Sequence, residues 1–314
     1  MLKHHRIPLL LGAAVILCSL AVQPRPASNA VAAPEKSNVD FTGVQVEKNI
    51  AYLGPGREEK LDLYRPEKLE AGKKYPAIVI IHGGGWYSGE KSNAREQNFA
   101  TTLARAGYIS VSIDYGMASK GHAVWPQIIY DCKAAVQFLR KNAKRYQVDP
   151  NHIGAMGGSA GGHLALMVGL TSVTKTLTPP GPYQGVSSQV QAIGDFYGPA
   201  NLITWDLDVK KYGNFVEWFL GAPKEQNRAL WEQASPVYLV TSKSPPVLVV
   251  QGTEDEAVPV SQSQELAAKL AEKGVPSQLV LVKGAGHSFD FQPPQQDLRP
   301  IAIAFFDKYL KGAR

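Results

Sequence analysis

The stretch from Ile153 to Leu170 constrains the fold of this chain more than any other. A short apolar run ending at Met156 precedes Gly157-Gly-Ser-Ala-Gly161, and the helix-forming residues 164–170 follow. A Gly-x-Ser-x-Gly between a strand and a helix is typical of a nucleophile elbow, a sharp turn that exposes the serine hydroxyl above a sheet. The glycines on either side remove Cβ atoms where strand and helix crowd together. The alternative is a glycine-rich turn that happens to contain a serine.

Strand-like and helix-like segments alternate along the rest of the chain. Apolar runs such as 77–81 and 247–252 are typical of strands buried on both faces of a sheet. Segments 44–53 and 60–64 alternate apolar with polar residues around Gly54-Pro-Gly56, which predicts an antiparallel pair at a sheet edge. Further strands are predicted at 108–114, 190–197 and 278–282, and helices at 94–105, 128–146, 261–273 and 298–310. This order predicts an α/β fold with a mostly parallel, doubly wound sheet and helices on both faces.

One connection is too long for a simple crossover. About forty residues, 198–238, separate two of the predicted core strands. They include the aromatic residues Trp205, Tyr212, Phe215, Trp218, Phe219 and Trp231. Long connections in compact domains usually have a function, and the aromatic density favours a small lid or pocket wall over the elbow. A pair of packed surface helices is the alternative.

The N-terminus has the layout of a secretory signal peptide. A basic start with Lys3 and Arg6 precedes the apolar run 9–22, which is short for a membrane span, and small residues surround Ala30. We therefore expect residues 1–30 to be removed on export, to the periplasm or to the medium. Residues 31–314 are expected to form a single domain with no stable membrane span. An uncleaved membrane anchor is the alternative.

Charge and cysteine content narrow the function classes. Removing residues 1–30 takes away Lys3, Arg6 and Arg25 and no acidic residue, so the formal net charge falls from +6 to +3. No basic run indicates nucleic-acid binding. Cys132 is then the one cysteine left, so no disulfide forms within the mature chain, and its apolar surroundings indicate a core residue. No Cys/His cluster has zinc spacing, and we expect neither a metal nor a cofactor.

A serine nucleophile needs a base to take its proton and a carboxylate to orient that base. The candidate acid is Asp255, in the loop after the predicted strand 247–252. That loop lies at the carboxyl end of its strand, where the elbow also opens. The neighbouring Glu254 and Glu256 suit a solvated acidic turn.

The candidate base is His287, in the glycine-rich loop Gly284-Ala-Gly-His-Ser-Phe289 after the last predicted core strand. A histidine in such a loop can reach the serine. Its place after the serine and the acid in the chain favours a role in catalysis over a solvated loop residue.

The candidate oxyanion hole follows the strand 77–81. Three glycines between His82 and Trp86 let the backbone turn its N–H groups into the site without obstruction by side chains. The N–H of Ala160, just past Ser159, is expected to supply the other donor. We expect His82 to brace the loop, and Trp86 and Tyr87 to form a wall of the substrate pocket. A flexible glycine loop is the alternative.

These motifs resemble those of the α/β-hydrolase superfamily. His82-Gly-Gly-Gly-Trp86, Gly157-Gly-Ser-Ala-Gly-Gly162 and Ala234-Ser-Pro236 are similar to one esterase branch in particular. That branch includes hormone-sensitive-lipase-like carboxylesterases and bacterial acetylxylan and feruloyl esterases. The similarity runs from about Val44 to the C-terminus.

The resemblance implies an α/β-hydrolase fold and assigns roles to individual residues. Asp255 matches the aspartate of a Gly-x-x-Asp-x-x-Val-Pro pattern found in related hydrolases. By the same resemblance, Ser159, Asp255 and His287 would form a catalytic triad. Gly84 and Gly85 would be the loop donors of the oxyanion hole.

The function expected from residues and resemblance together is that of an exported serine carboxylesterase. Its substrate would be a small-molecule ester or an acetyl or feruloyl ester of plant polysaccharide. The alternatives are a serine peptidase of the prolyl-oligopeptidase kind, which usually carries a large extra domain, an arylformamidase, and an inactive hydrolase-fold binding protein. The sequence leaves the oligomeric state open.

One departure from the family concerns the loop after strand 108–114. Hormone-sensitive-lipase relatives tend to have Asp-Tyr-Arg there, whereas this chain has Asp114-Tyr-Gly116. We expect Gly116 to loosen that loop and to reshape the pocket.

Overall fold

The elbow strand lies inside an eight-stranded sheet, in a computed structural model that describes residues 39–174 and 176–312. The strands, in chain order, are β1 Val44–Ala51, β2 Lys60–Pro66, β3 Tyr75–Ile81, β4 Ile109–Ile113, β5 Val148–Gly158, β6 Ala192–Phe196, β7 Val247–Gly252 and β8 Ser277–Val282. Their order across the sheet is β1-β2-β4-β3-β5-β6-β7-β8. The β1–β2 and β2–β4 pairs are antiparallel and the other pairs are parallel. The predicted edge pair and the mostly parallel sheet are both present.

Helices cover both faces of this sheet. They are α1 Ala94–Arg105, α2 Gln127–Lys141, α3 Ala143–Tyr146, α4 Ala160–Val173, α5 Val209–Tyr212, α6 Phe215–Leu220, α7 Arg228–Gln233, α8 Val260–Glu272 and α9 Arg299–Phe306. A 3₁₀ turn, Pro236–Leu239, precedes β7, and a π turn, Asp307–Lys311, extends α9. The helix predicted over 128–146 is divided into α2 and α3 at Asn142, whose ψ of 18° interrupts the helical backbone.

The continuous apolar run of β3 is explained by burial on both sides. Ala77, Val79 and Ile81 belong to the core cluster that includes buried residues of α2, α4 and α8. Ile78 and Ile80 point to the other cluster, formed with α1 and α9. Successive side chains of a strand alternate between faces, so a strand covered on both sides needs apolar residues at every position. Full burial of each aliphatic side chain contributes roughly 1.5–3 kcal/mol of transfer free energy.

The topology brings the candidate residues to one edge of the sheet. The chain passes from β3 outward to β4 and then returns past β3 to β5, so the strand order reverses between β3 and β5. Ligands of open α/β sheets bind outside the carboxyl ends of the strands at such a point. The glycine loop follows β3, Ser159 follows β5, Asp255 follows β7, and His287 follows β8.

The predicted signal peptide, residues 1–30, lies outside the described residues. Within the part of the chain that the structure describes, no helix is long and apolar enough to cross a membrane.

Candidate active site

Ser159 lies on the sharp turn between β5 and α4. Its backbone has a φ of 58° and a ψ of −125°, a region that residues with a Cβ rarely adopt. The Ser159 N–H donates to the carbonyl of Phe196 on β6 at 2.8 Å, and its own carbonyl accepts from the His163 N–H at 3.1 Å. These bonds fix the strained conformation that holds the side chain above the sheet.

The two outer glycines of the motif leave room for this turn. A Cβ built on Gly157 would lie 2.4 Å from the carbonyl oxygen of Ile81, and one built on Gly161 would lie 2.0 Å from the same atom. Both distances are shorter than any van der Waals contact. The close approach of β3, β5 and α4 is therefore possible because neither position carries a side chain.

Three side chains form a hydrogen-bonded chain at this edge of the sheet. His287 Nε2 lies 2.9 Å from Ser159 Oγ, and His287 Nδ1 lies 2.7 Å from Asp255 Oδ2. The Asp255 side chain is fully buried and the His287 side chain is 22% exposed. The structure thus brings together the predicted nucleophile, base and acid, at distances that allow proton transfer between them.

Asp255 is held by more than the histidine. Its Oδ1 accepts from the backbone N–H groups of Ala257 at 2.9 Å and Val258 at 2.8 Å. The buried Gln251 side chain donates to Oδ2 at 3.0 Å, and its own carbonyl oxygen accepts from Ser263 at 2.9 Å. Gln251 fixes the carboxylate that orients His287. Sequence reasoning missed it, because a glutamine inside an apolar strand gives no signal of its partner.

The neighbouring acidic residues face other partners. Glu256 pairs with Lys211 at 2.7 Å, and its side chain is 79% exposed. Glu254 is exposed. Both are therefore solvated turn residues, as the sequence indicated.

The glycine loop and the start of α4 leave backbone donors unused. In the described ranges, no hydrogen bond occupies the N–H of Gly84 or Gly85, whose φ angles are 115° and 58°. The Gly84 carbonyl instead accepts from Tyr87 and Ser88, which turns it into the loop. Ala160 is the first residue of α4, where the N–H has no partner within the helix. These three N–H groups are the donors available for an oxyanion beside Ser159.

His82 braces the loop from below, as expected. Its side chain is 1% exposed and stacks on Tyr115 with ring centroids 4.1 Å apart. The Nδ1 atom lies 2.7 Å from the carbonyl of Gly83. Burial lowers the pKa of His82 below its ordinary value, which favours the neutral ring.

The structure corrects the prediction that Trp86 lines the pocket. Its side chain has no exposed surface, stacks on Phe219 with centroids 4.6 Å apart, and donates through Nε1 to His163 Nδ1 at 3.2 Å. Trp86 is therefore a core residue behind the site, and its φ of 64° turns the indole inward. Tyr87 does face solvent, with 41% of its surface exposed.

The insertion 198–238 forms a wall beside the glycine loop. It contains α5, α6 and α7, and its aromatic residues Trp205, Phe215 and Phe219 pack around Trp86 with centroid distances of 6.2, 5.9 and 4.6 Å. Most of this aromatic surface is used for packing, which explains the density seen in the sequence. Movement of the insertion as a lid stays a prediction.

The loop after β4 is not loosened by Gly116. The Gly116 N–H donates to Asp131 Oδ2 at 3.0 Å, and Arg57 pairs with the same carboxylate through two bonds of 3.0 and 2.6 Å. A Cβ at Gly116 would lie 3.2 Å from Asp131 Oδ2 and 3.4 Å from Arg57 Nη2. The expectation of a loose loop was wrong because a buried carboxylate on α2 and a distant arginine hold it.

The environment of His163 predicts that the folded protein is sensitive to acid. It is fully buried, donates through Nε2 to the Ala234 carbonyl at 2.8 Å, and accepts from Trp86 at Nδ1. Burial lowers the pKa of His163 to about 4. The unfolded state, with an ordinary histidine pKa near 6.5, binds the proton first, so stability falls as the pH drops from about 6.5 toward 4.

We expect His163→Gln to remove this dependence, because glutamine can both accept and donate but does not titrate. Between pH 7.5 and pH 5 the wild-type chain should lose about 2 kcal/mol more unfolding free energy than the variant. Urea unfolding at the two pH values measures the difference. Equal losses in the two proteins would mean that His163 is not the group responsible.

No cluster suited to a metal was found within residues 39–174 and 176–312. Those ranges contain no group of three or more His, Cys, Asp or Glu side chains placed to hold a metal ion. Cys132, predicted as a core residue, is buried, and burial raises the pKa of its thiol well above the ordinary value.

Comparison with known proteins identifies the family. A family model described as BD-FAE matches residues 61–270, about two thirds of the chain. The chain belongs to the BD-FAE family. The matched range begins in β2 and ends in α8, so it includes the glycine loop, Ser159 and Asp255, while His287 lies beyond it.

Two mycobacterial proteins resemble this BD-FAE protein in sequence. Esterase LipQ of Mycobacterium tuberculosis is 31% identical over 245 residues, which cover 77% of this chain and 57% of LipQ. Esterase LipC of the same species is 30% identical over 253 residues, which cover 78% of this chain and 60% of LipC. The chain therefore spans less than two thirds of the length of either relative.

Solved structures match most of the BD-FAE chain. A truncated carbohydrate esterase from gut microbiota superposes with a TM-score of 0.74 at 26% identity, covering 85% of this chain and 96% of that one. Thermogutta terrifontis esterase 2 superposes with a TM-score of 0.68 at 26% identity, covering 87% and 95%. With the sheet topology, these matches confirm the predicted α/β-hydrolase fold.

Proposed function

We propose that this BD-FAE protein is an exported serine carboxylesterase that acts through an acyl-enzyme. The observation that carries the proposal is the chain of hydrogen bonds Ser159–His287–Asp255, at 2.9 and 2.7 Å, beside backbone donors that have no other partner among the described residues. The names of LipQ, LipC and the gut carbohydrate esterase, all called esterases, support it. No observation favours the peptidase, the arylformamidase or the inactive binding protein.

The geometry supplies each step of ester hydrolysis. Ser159 Oγ attacks the carbonyl carbon while His287 Nε2 takes its proton, and the Asp255 carboxylate stabilises the imidazolium. The N–H groups of Gly84, Gly85 and Ala160 stabilise the oxyanion. His287 then gives its proton to the leaving alcohol, which leaves an acyl group on Ser159. Water attacks this ester with His287 again as base, and the carboxylic acid is released.

The substrate class that we propose is an acetyl or feruloyl ester of plant polysaccharide. A partly exposed aromatic group lies directly after the oxyanion loop and supports this choice. Tyr87 packs against Trp218 and Phe215 with centroids 5.7 and 5.8 Å apart, and a Cβ on Gly85 would lie 2.8 Å from its ring. A rigid ring at this place offers stacking surface to a sugar or to a feruloyl ring.

Hydrolysis rates on a panel of esters test the proposal. The panel is p-nitrophenyl acetate, butyrate and decanoate, methyl ferulate and acetylated xylan, with Ser159→Ala as the blank. We expect turnover of acetyl esters. We also expect a higher kcat/KM for methyl ferulate or acetylated xylan than for p-nitrophenyl decanoate. Activity confined to short p-nitrophenyl esters would remove the polysaccharide assignment and keep the esterase. No ester hydrolysis at all would refute both.

We expect Tyr87→Ala to change substrate preference more than turnover. Loss of one stacked aromatic ring should raise the KM for methyl ferulate on the order of tenfold, equivalent to about 1.4 kcal/mol, and leave p-nitrophenyl acetate within about twofold. Phe41→Ala is the control, since that ring is 38% exposed and precedes the edge strand β1. Equal effects of Tyr87→Ala on both substrates would argue against a ring-binding role.

Export is the part of the proposal that depends on residues 1–30. Expression of the whole chain in a bacterial host should give a periplasmic or extracellular enzyme whose intact mass lacks this segment. An intact, membrane-bound chain would support an uncleaved anchor instead.

A further inference from the structure

An arginine–glutamate pair lies mostly out of contact with solvent at the start of α1, and the proposed ester chemistry uses neither side chain. Arg95 Nη2 lies 2.6 Å from Glu96 Oε1, with side chains 15% and 0% exposed. Among the described residues, Glu96 Oε2 has no hydrogen-bond partner. Burying an ion pair of this kind costs several kcal/mol of desolvation and is weak evidence for stability. The pair therefore calls for another explanation.

The Arg95 guanidinium lies where the oxyanion loop meets the elbow. A Cβ built on Gly83 would lie 2.7 Å from Arg95 Nη2 and 2.7 Å from the carbonyl oxygen of Gly158, and 3.3 Å from the Cβ of Ser159. The guanidinium, the loop and the nucleophile thus surround one small space that only a glycine leaves open. The Tyr197 hydroxyl lies near the same guanidinium and interacts with it electrostatically.

Tyr197 continues this contact to the histidine loop. Its hydroxyl donates to the carbonyl of Phe289. Its ring meets the His287 imidazole edge to face, with centroids 5.0 Å apart and planes at 67°. A Cβ on Gly158 would lie 2.8 Å from the same hydroxyl. One phenol therefore touches the elbow, the imidazole and the backbone two residues beyond it.

The backbone of Tyr197 is strained in a way that supports a functional role. Its φ is 44°, in the left-handed region that a bulky residue rarely adopts, and its N–H donates to Val250 on β7 at 2.7 Å. Such a conformation costs on the order of 1–3 kcal/mol and persists where the surroundings enforce it, most often at functional sites.

We propose that Arg95 and Tyr197 form a positioning pair that sets the distance between His287 and Ser159. Arg95 fixes Tyr197 relative to the glycine loop and the elbow, and Tyr197 fixes the backbone and ring of the histidine loop. Glu96 balances the buried charge of Arg95 and orients its guanidinium. The inference rests on the proposed triad and adds to it two residues that do not touch the ester.

The mechanism depends on a short hydrogen bond across two independent loops. His287 belongs to a loop after β8, Ser159 to a turn after β5, and Ser288 next to the histidine has a φ of 68°. A displacement of about 1 Å between reacting groups can lower the rate on the order of 100-fold. The bond from the Tyr197 hydroxyl to the Phe289 carbonyl, made beside the elbow glycine Gly158, opposes such a displacement.

Tyr197→Phe tests the pair, because it keeps the ring and removes only the hydroxyl. On p-nitrophenyl acetate we expect kcat, normalised by active-site titration with a phosphonate ester, to fall on the order of 10- to 100-fold while KM stays within about twofold. The downfield proton NMR signal of the His287–Asp255 bond should broaden or move. Tyr108→Phe is the control, since its hydroxyl bonds to Asp307 and lies on the α9 side of the molecule. Arg95→Lys keeps the positive charge but loses the planar set of guanidinium donors, and it should reproduce the loss of kcat.

The outcomes separate this inference from the proposed function. An active wild type whose Tyr197→Phe and Arg95→Lys variants keep kcat per titrated site and the downfield signal would overturn the positioning pair and leave the esterase intact. Fewer titrated sites with unchanged turnover per site would overturn it too, since that pattern means folding loss alone. A wild type with no ester hydrolysis would instead refute the proposed function.

Discussion

Ser159→Ala is expected to lower kcat on p-nitrophenyl acetate by at least about 10⁴-fold while the fold stays intact. The Ser159 Oγ atom forms the ester bond of the acyl-enzyme, so its loss removes covalent catalysis altogether. The turn itself is kept by backbone hydrogen bonds. The Ser159 N–H donates to the Phe196 carbonyl, and the Ser159 carbonyl accepts from the His163 N–H, so the hydroxyl is not needed for the turn. Steady-state kinetics and a thermal melt of each protein measure the two effects.

His287→Ala should produce a loss of similar size, and the chain offers a matched control for it. His152 also pairs with an aspartate, Asp149, at 2.8 Å, but within the described residues no hydrogen bond joins its ring to a serine. His152→Ala is expected to keep wild-type kcat. Near-normal turnover in Ser159→Ala or His287→Ala would exclude the triad. A comparable loss of kcat in His152→Ala would show that losing any His–Asp pair lowers kcat, so the His287→Ala result would not identify the catalytic base.

Gly161→Ala is the substitution from which we expect the largest loss of stability. Its Cβ would lie 2.0 Å from the Ile81 carbonyl oxygen and 2.7 Å from that of His82, so the backbone of β3 must move. Overpacking against a backbone that cannot rotate away should cost about 3 kcal/mol or more, which lowers Tm by roughly 10 °C in a chain of this size. Because His82 begins the glycine loop, we also expect kcat to fall on the order of 100-fold.

Gly181→Ala is the control for that prediction. An added Cβ there meets no atom within 4 Å, and we expect Tm within about 1 °C of wild type. Calorimetry on the three proteins decides the matter. A wild-type Tm for Gly161→Ala would show that the contact between β3 and α4 is looser than the distances indicate.

Much of this protein is determined by local sequence. Apolar runs such as 77–81 specify buried strands because both faces of the sheet are covered, and β3 and β7 end at the predicted residues. The Gly-x-Ser-x-Gly motif specifies the elbow because two Cβ atoms would collide with the Ile81 carbonyl. The order of serine, acid and base along the chain, together with the resemblance of residues 252–259 to a pattern of related hydrolases, named the three residues that the fold brings together.

What the tertiary structure alone decided are the contacts between residues distant in the chain. Trp86 follows the glycine loop and was expected to form a wall of the substrate pocket, but Phe219, 133 positions later, covers it. Gly116 was expected to loosen its loop, but Arg57 and Asp131 hold it. Arg95 gave no sequence signal, because its place beside Gly83 and Ser159 is set only when the fold brings the glycine loop against the elbow. Motifs record what a residue needs from its neighbours in the chain, whereas packing partners are set by how the sheet orders its strands.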